Sequence, residues 1–208
     1  MPLVLHAVVP SDGATAPAAD LELVSFRHLA AVVRPVPGRG RDVEVGEPDA
    51  EEHRAVVEAL FKERTVLPAP AGVVARGRDC VAQWLELHYV TLTEAMEFVD
   101  GRCAARVHVT PALPPASDHR PLDAPPIDLD GVAGEAFRAL RRHAAASITL
   151  RHPAKETHRV SAAFLVETDR WRAFADAVAE EGRRDAIVRV ELSGPWPPYD
   201  FVKMQFGG

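Results

Sequence analysis

Histidine and cysteine are the residues of this chain best suited to metal or proton chemistry, and the sequence contains nine histidines and two cysteines. Cys103 and His108 lie five residues apart on a predicted strand, and this odd offset turns their side chains to opposite faces. A zinc site needs three or four ligands that converge on one ion. His152 and His158 flank a short polar segment and are interpreted as loop residues. We therefore predict no metal site.

Serine, glycine and carboxylate patterns offer no catalytic or nucleotide-binding motif. The sequence contains no GxSxG, GxGxxG or GxxxxGK[ST] pattern. Paired carboxylates such as Glu51–Glu52 and Glu180–Glu181 are typical of the first and last turns of helices. No recognisable base lies near the serines of the predicted elements, Ser25, Ser147, Ser161 and Ser193. We therefore predict no catalytic residue and no cofactor.

A third group, rich in proline and aromatic residues, lies near the C-terminus in the sequence VELSGPWPPYDFV, residues 190–202. We call its six residues from Gly194 to Tyr199 the corner. Gly194 can adopt backbone angles closed to other residues, which suits a sharp exit from a strand. The three prolines, Pro195, Pro197 and Pro198, then fix φ and favour a short polyproline-II rod.

The aromatic side chains of the corner suit an anchoring role. A polyproline-II helix has three residues per turn, so Trp196 and Tyr199 are expected to project from the same side. Large rings on a stiff backbone lose little entropy when they dock. Two interpretations stay open: the rings clamp the tail onto a helix predicted at residues 169–181, or Trp196, Tyr199 and Phe201 contact a partner protein.

The elements of the first half are three strands, two helices and a fourth strand. Asp49 begins the first helix as a cap, with Glu52 three residues later as in a capping box. Residues 79–99 form the second helix, whose apolar stripe is Val81, Trp84, Leu85, Leu92, Ala95, Met96 and Val99. Apolar and β-branched runs predict the strands at residues 3–9, twice within residues 21–36 around Arg27 and His28, and at residues 102–109.

The second half is predicted to follow the order helix, strand, helix, strand. Asp130 caps a helix that extends to about Ala146, and Gly182 ends the helix over residues 169–181. The flanking runs predict strands at residues 157–168 and 186–193. This strand–helix–strand unit forms a right-handed crossover if its strands are parallel.

A proline-rich segment separates the two halves at residues 111–129. Its prolines exclude a regular helix or a central strand. We therefore predict an N-terminal domain at residues 1–110, a linker, and a C-terminal domain at residues 130–208. The fold class is α+β, with two small α/β units whose ferredoxin-like sheets carry helices on one face.

Composition limits the kinds of partner this protein can have. The chain of 208 residues is 47% hydrophobic and carries a net charge of −6. Residues 1–130 contain 20 acidic and 12 basic side chains, and residues 131–208 contain 10 and 12. Neither half has the strongly basic composition of a nucleic-acid binder. No apolar run approaches the ~20 residues needed to span a bilayer, and no signal peptide is recognisable. We expect a soluble, cytoplasmic protein that binds neither nucleic acid nor membrane, with Cys80 and Cys103 as free thiols.

Two motifs resemble the GvpL/GvpF family of gas vesicle proteins. The corner, with Gly194, Pro195, Pro197 and Pro198, is similar to the C-terminal signature of that family. The sequence EEHRAVVEALFKERTVLPAPAGVV, residues 51–74, resembles a family helix carrying a histidine and the Val-Leu-Pro turn after it. The positions that match are His53, Leu67, Pro68 and Gly72, and LAAVVRPV at residues 29–36 agrees more loosely.

The resemblance implies a function without catalysis. It suggests a minor, accessory component that binds the small hydrophobic shell subunit and other gas vesicle accessory proteins, and that supports vesicle nucleation or growth. Two alternatives stay open. One is a small-molecule enzyme with a pocket between the two α/β units, and the other is a structural component that stays in the vesicle wall.

Overall fold

The computed structural model describes residues 1–16, 18–38, 47–112, 128–151 and 159–204, without the side chains of Glu47 and Pro48. These residues form two compact units, each with an antiparallel sheet and helices, which confirms the predicted α+β fold of two units. Unit 1 contains Met1–Gly101 and the tail from Pro197, and unit 2 contains Arg102–Trp196.

This division differs from the one expected from the proline-rich segment. The sequence assigned residues 102–110 to the first domain, whereas the structure places them as a central strand in the sheet of unit 2. The reason is long-range pairing, because this strand bonds on both edges to strands more than fifty residues later in the chain. Residues 113–127 lie outside the described residues, so the linker stays a prediction.

Unit 1 is built on a five-stranded antiparallel sheet. Its strands are β1 (Leu3–Pro10), β2 (Glu22–Phe26), β3 (Leu29–Pro35), β4 (Leu67–Pro68) and β5 (Val74–Ala75). The order is β2-β3-β1-β4, and β5 also pairs with β1. The hairpin of β2 and β3 turns at Arg27 and His28 as predicted. β4 and β5 were not predicted, because strands of two residues carry no periodic signal and Pro68 and Pro70 lie in or beside β4.

Three helices belong to unit 1: α1 (Glu47–Glu63), α2 (Arg78–Leu87) and α3 (Tyr89–Val99). The single helix predicted over residues 79–99 is thus two helices divided at His88. The hydrogen-bond ladder continues across the division, because the His88 N–H donates to the Trp84 carbonyl at 3.0 Å and the Leu92 N–H donates to the His88 carbonyl at 2.9 Å. His88 itself has φ −101° and ψ 11°, outside the usual helical range, and separates the two helices.

The sheet of unit 1 carries helices on both faces, not on one face as predicted. β3 shows the alternation: Leu29, Ala31 and Val33 pack with α2 and α3, whereas Ala30 and Val32 pack with α1. Successive side chains of a strand point to opposite faces, so each face of β3 serves its own core. Both faces of β3 are apolar for this reason.

Unit 2 consists of β6 (Arg102–Pro111), α4 (Leu129–Leu140), β7 (Ala146–Leu150), β8 (Val160–Glu167), α5 (Trp171–Arg184) and β9 (Val188–Trp196). The sheet order is β7-β8-β6-β9 with all neighbours antiparallel. This βαββαβ order with β6 and β8 in the centre is the ferredoxin-like arrangement. β8 and β9 are parallel to each other, as the predicted crossover requires, with β6 between them.

Both helices of unit 2 lie on the same face of its sheet. The Phe164 ring from β8 contacts Phe137 of α4 and Phe174 of α5, with centroid distances of 5.9 and 5.4 Å. All three rings are buried. The prediction of helices on one face is therefore correct for unit 2.

Several helix ends differ from their predicted positions. Asp128, not Asp130, caps α4, and its side chain accepts a hydrogen bond from the Gly131 N–H at 3.0 Å. α4 ends at Leu140 and is followed by a 3-10 turn at Arg141–His143, and β7 begins at Ala146, where the predicted helix was expected to end. α5 continues past Gly182 to Arg184. Arg183 and Arg184 pair with Glu180 and Glu181 and place positive charge at the helix C-terminus, where the dipole favours it.

Candidate functional site

The corner begins as a bulge in β9. On β6, Ala104 pairs with Trp196 and Arg106 pairs with Ser193, so one residue of β6 faces two residues of β9. These two residues of β9 are Gly194 and Pro195, which are joined by a cis peptide bond. A bulge of this kind bends the strand and re-aims the residues that follow.

The backbone of the corner leaves no room for a side chain at Gly194. Its φ is +130°, a value that residues with a Cβ rarely adopt. A Cβ at this position would lie 2.8 Å from Cη2 of Trp171 and 2.9 Å from the carbonyl oxygen of Ala104. Glycine is therefore required here both by conformation and by the close approach of α5 and β6.

After Trp196 the chain returns to unit 1 through turns. The Tyr199 N–H donates to the Pro197 carbonyl at 2.8 Å, and the Phe201 N–H donates to the Pro198 carbonyl at 3.0 Å. A polyproline-II helix has no such internal hydrogen bonds. The rod expected over these prolines is therefore replaced by a folded connection between the two units.

The three aromatic residues proposed to contact a partner have different surroundings. Trp196 is 38% exposed at the end of β9, and its indole N–H donates to Ser193 Oγ at 3.3 Å. Tyr199 and Phe201 are half-buried. Tyr199 packs against the α1 side of the unit 1 core, and Val202 and Met204 pack against the α2–α3 side. The tail therefore completes both cores of unit 1, whereas the predicted clamp partner, the helix of residues 169–181, belongs to unit 2.

The second motif forms one connected group inside unit 1. His53 of α1 is buried, and its Nε2–H donates to the Ala69 carbonyl at 3.0 Å. Leu67 and Pro68 form β4 and pair with Val8 and Ala7 of β1. Gly72, with φ +87°, turns the chain from β4 towards β5. The histidine thus ties α1 to the segment that follows the Leu-Pro strand.

His6 lies beneath His53, and the sequence analysis did not single it out. The two rings stack with centroids 5.2 Å apart, and a register shift in β1 between Leu5 and Ala7 coincides with this position. Burial lowers the pKa of His6 to about 4, with the neighbouring His53 and Arg34 adding to the effect. Burial also lowers the pKa of His53. The available signal was a histidine within the otherwise apolar run of β1.

Arg34 joins β3 to the first turns of α1. Its guanidinium lies 3.4 Å from the Asp49 carboxylate and also pairs with Glu52. The sequence predicted these two acidic residues as an N-cap and a capping box. In the structure α1 begins two residues before Asp49, so both carboxylates lie within the helix and bind the arginine.

Residues considered for metal or catalytic chemistry do not assemble into such a site. Cys103 is buried, which raises the pKa of its thiol to about 11. His108 Nδ1 lies 2.7 Å from Ser161 Oγ, and Ser161 is buried. Among the residues that the structure describes, no three His, Cys, Asp or Glu side chains are grouped to hold a metal ion. His152 and His158 lie outside that part of the chain.

Among the described residues, no helix is both long enough and apolar enough to cross a bilayer.

Comparison with known families identifies the group to which the chain belongs. The model of the gas vesicle synthesis protein GvpL/GvpF family matches residues 4–119 and 128–203, which is nearly the whole chain. The chain belongs to the GvpL/GvpF family of gas vesicle proteins. Members of this family are structural or assembly proteins of gas vesicles, not enzymes, and the chain is therefore not an enzyme.

Individual gas vesicle proteins agree with this assignment. The gas vesicle protein L of Streptomyces sp. is 26% identical, with 74% of this chain and 68% of the relative covered. The gas vesicle protein F2 of Halobacterium salinarum is 27% identical, with 88% of this chain and 81% of the relative covered.

Solved structures share the fold at lower sequence identity. The crystal structure of GvpF from Anabaena sp. PCC7120 aligns with a TM-score of 0.77 at 17% identity and covers 99% of both chains. The crystal structure of GvpF from Microcystis aeruginosa aligns with a TM-score of 0.70 at 14% identity, covering 98% of this chain and 99% of the other. The fold of this GvpL/GvpF family member is therefore that of GvpF along nearly its full length.

Proposed function

We propose that this protein is an accessory factor of gas vesicle assembly that binds the small hydrophobic shell subunit in the cytoplasm and supports vesicle nucleation or growth. The observation that carries the proposal is the family match over residues 4–119 and 128–203.

A binding role also suits the physical problem that a gas vesicle presents. A shell subunit with an apolar, gas-facing surface aggregates if that surface meets water before the wall is built. A folded partner can cover the surface without any chemical step. The other gas vesicle accessory proteins are the further partners that this role requires.

The corner contributes the first proposed contact. Trp196 offers a large ring that is 38% exposed, and its position is fixed by the bulge and by the indole hydrogen bond to Ser193. Rings held in this way are common anchors of protein interfaces. We assign Trp196 the direct contact, with Tyr199 and Phe201 holding the backbone behind it.

Co-expression with the shell subunit tests the proposal. The tagged, full-length protein should retain the shell subunit through affinity purification, and Trp196→Ala should retain less while keeping its melting temperature close to that of the wild type. Absence of the shell subunit and of every other gas vesicle protein from the wild-type eluate would contradict the proposal.

The same preparation separates assembly from a permanent place in the wall. An assembly factor is expected to leave intact vesicles during washing with salt and urea. If instead the protein stays with the washed vesicles in constant proportion to the shell subunit, it is a wall component.

A further inference from the structure

Helices α2 and α3 expose large apolar side chains on the side opposite their core. Leu87 is 79% exposed, Val90 is 66% exposed and Phe98 is 42% exposed. On the buried side the same helices place Leu85, Leu92 and the other members of the predicted stripe against the sheet of unit 1. Scattered single apolar residues are ordinary on a protein surface, but a group on one element marks an interaction site.

Helical spacing places these side chains along one line. Leu87, Val90, Glu94 and Phe98 follow one another at intervals of three, four and four residues, which bring side chains to the same face of a helix. Two hydrogen bonds span His88, and Leu85 and Leu92 on either side of it pack in the same core, so the opposite, exposed line continues from α2 into α3. At 1.5 Å per residue the line is about 16 Å long, or three helical turns.

Beyond the first residue of α2, Arg78, the charged side chains of the two helices are all acidic. Glu86, Glu94 and Glu97 are all exposed, and the sequence contains no Lys or Arg from Asp79 to Val99. We call the six residues Glu86, Leu87, Val90, Glu94, Glu97 and Phe98 the acidic–apolar ridge. With about 3.6 residues per turn, Glu86 and Glu97 lie along one side of the apolar side chains and Glu94 lies among them.

A groove opens at the α2 end of the ridge. Its volume is about 790 Å³, and it is lined by Arg76, Cys80, Gln83, Trp84 and His88 beside Glu86 and Leu87 of the ridge. A concave, partly apolar surface next to an exposed line of side chains lets a large residue of a partner insert while the rest of the partner lies along the helices.

The charge pattern decides between possible occupants. A second copy of this chain would bring the three glutamates of each ridge against those of the other in a two-fold interface, and like charges in contact cost several kcal/mol. A bilayer with anionic head groups would be repelled for the same reason. Lys or Arg side chains beside an apolar stripe match the ridge in charge and in chemistry.

We propose that the acidic–apolar ridge is a docking surface for an amphipathic helix of the shell subunit, one whose apolar stripe is flanked by Lys or Arg. This inference rests on the proposed function for the identity of the partner. The ridge is a second proposed contact, separate from the one assigned to Trp196.

Charge insertion on the apolar residues tests the ridge directly. In co-expression with the shell subunit, the double variant Leu87→Arg/Val90→Arg should retain about tenfold less shell subunit than the wild type at an unchanged melting temperature. Ile187→Arg is the matched control, since Ile187 is an apolar side chain of unit 2 with 48% exposure. Equal retention by the double variant and the wild type overturns the inference and leaves the proposed function intact. Absence of the shell subunit and of every other gas vesicle protein from the wild-type eluate overturns the proposed function, and the inference with it.

Charge reversal tests the chemistry of the partner. Glu94→Lys/Glu97→Lys should lower retention and make it insensitive to salt, because the attraction that salt screens has been removed. Asp176→Lys/Glu180→Lys changes the net charge by the same amount on exposed positions of α5 and should behave like the wild type. If the two double variants retain equally little shell subunit, the loss is a general effect of charge and the ridge is not the docking surface.

A photo-crosslinking residue at position 90 identifies what lies on the ridge. The captured peptide should come from the shell subunit and carry Lys or Arg beside apolar residues at helical spacing. A crosslink to a second copy of this chain, or to a shell segment without basic residues, contradicts the proposal.

Discussion

The corner of β9 and the acidic–apolar ridge of α2 and α3 both carry exposed large apolar side chains, but they differ in how closely the structure constrains their residues. At the corner, Gly194 has no space for a Cβ and an uncommon φ, so a specific residue is required. Along the ridge, Leu87 and Val90 point away from the core and only their chemical character matters. A position with one permitted residue produces a recognisable motif, whereas a surface that needs only apolar and acidic side chains does not. The motif positions in this family member therefore reflect the requirements of the fold more than those of binding.

Replacing Gly194 gives the largest expected loss of stability. Gly194→Ala should lower the free energy of unfolding by roughly 4 kcal/mol, because strain at φ +130° adds to the overlap with Trp171 and Ala104. Gly134→Ala is the control, since a Cβ there meets nothing within 4 Å, and it should raise stability by about 0.5–1 kcal/mol. Denaturant unfolding of the purified variants measures both. Equal effects of the two substitutions would show that the corner is no more constrained than an exposed helix.

The buried pair of His6 and His53 gives the next largest effect, which is a dependence of the free energy of unfolding on pH. The pKa of His6 is about 4 in the folded protein and 6.5 in the unfolded chain. Between these two pH values the unfolded chain therefore binds more protons than the folded protein. The contribution of His6 to the free energy of unfolding is complete above pH 6.5 and is lost as the pH falls through 4. The loss should reach about 3 kcal/mol.

Unfolding curves between pH 7.5 and pH 4 measure this dependence. His6→Leu should flatten the slope even if it lowers the stability at neutral pH, and replacement of the exposed His143 by Asn should leave the slope unchanged. A slope in His6→Leu as steep as in the wild type would assign the pH dependence to other groups.

The two aromatic residues of the corner should separate a structural role from a binding role with smaller changes. Tyr199→Ala should destabilise the protein by about 2 kcal/mol, because the ring packs against the α1-side core. Trp196→Ala should cost only about 1 kcal/mol, since its ring is 38% exposed, and should weaken retention of the shell subunit. A lower melting temperature for Trp196→Ala than for Tyr199→Ala would instead assign the structural role to Trp196.

Part of this fold could be read from local patterns, and part depends on pairing between distant residues. The buried stripe of α2 and α3 was predicted from its spacing, but no local signal assigns β6 to the sheet of unit 2, because its partners β8 and β9 lie far along the chain. β7 was missed because the alanines before Ser147 suit a helix as well as a strand. A two-sided sheet in unit 1 was missed for a similar reason, since an apolar strand does not reveal what covers each face.

The candidate site was predictable to a different degree. The residues of the corner were identified from the sequence, but their turn geometry and the placement of Tyr199 in the core of unit 1 were not. The ridge went unrecognised because Leu87, Val90 and Phe98 are apolar residues on an apolar helix. Only their exposure in the folded structure distinguishes them from core residues.

Vesicle formation in cells tests the central claim most directly. In a strain whose own copy of this gene has been deleted, gas vesicles are followed by the light scattering that collapses under applied pressure. A protein that supports assembly by binding predicts no pressure-sensitive scattering in the deletion strain, full recovery with the wild-type gene, and poor recovery with Leu87→Arg/Val90→Arg. Normal vesicles in the deletion strain would contradict the claim.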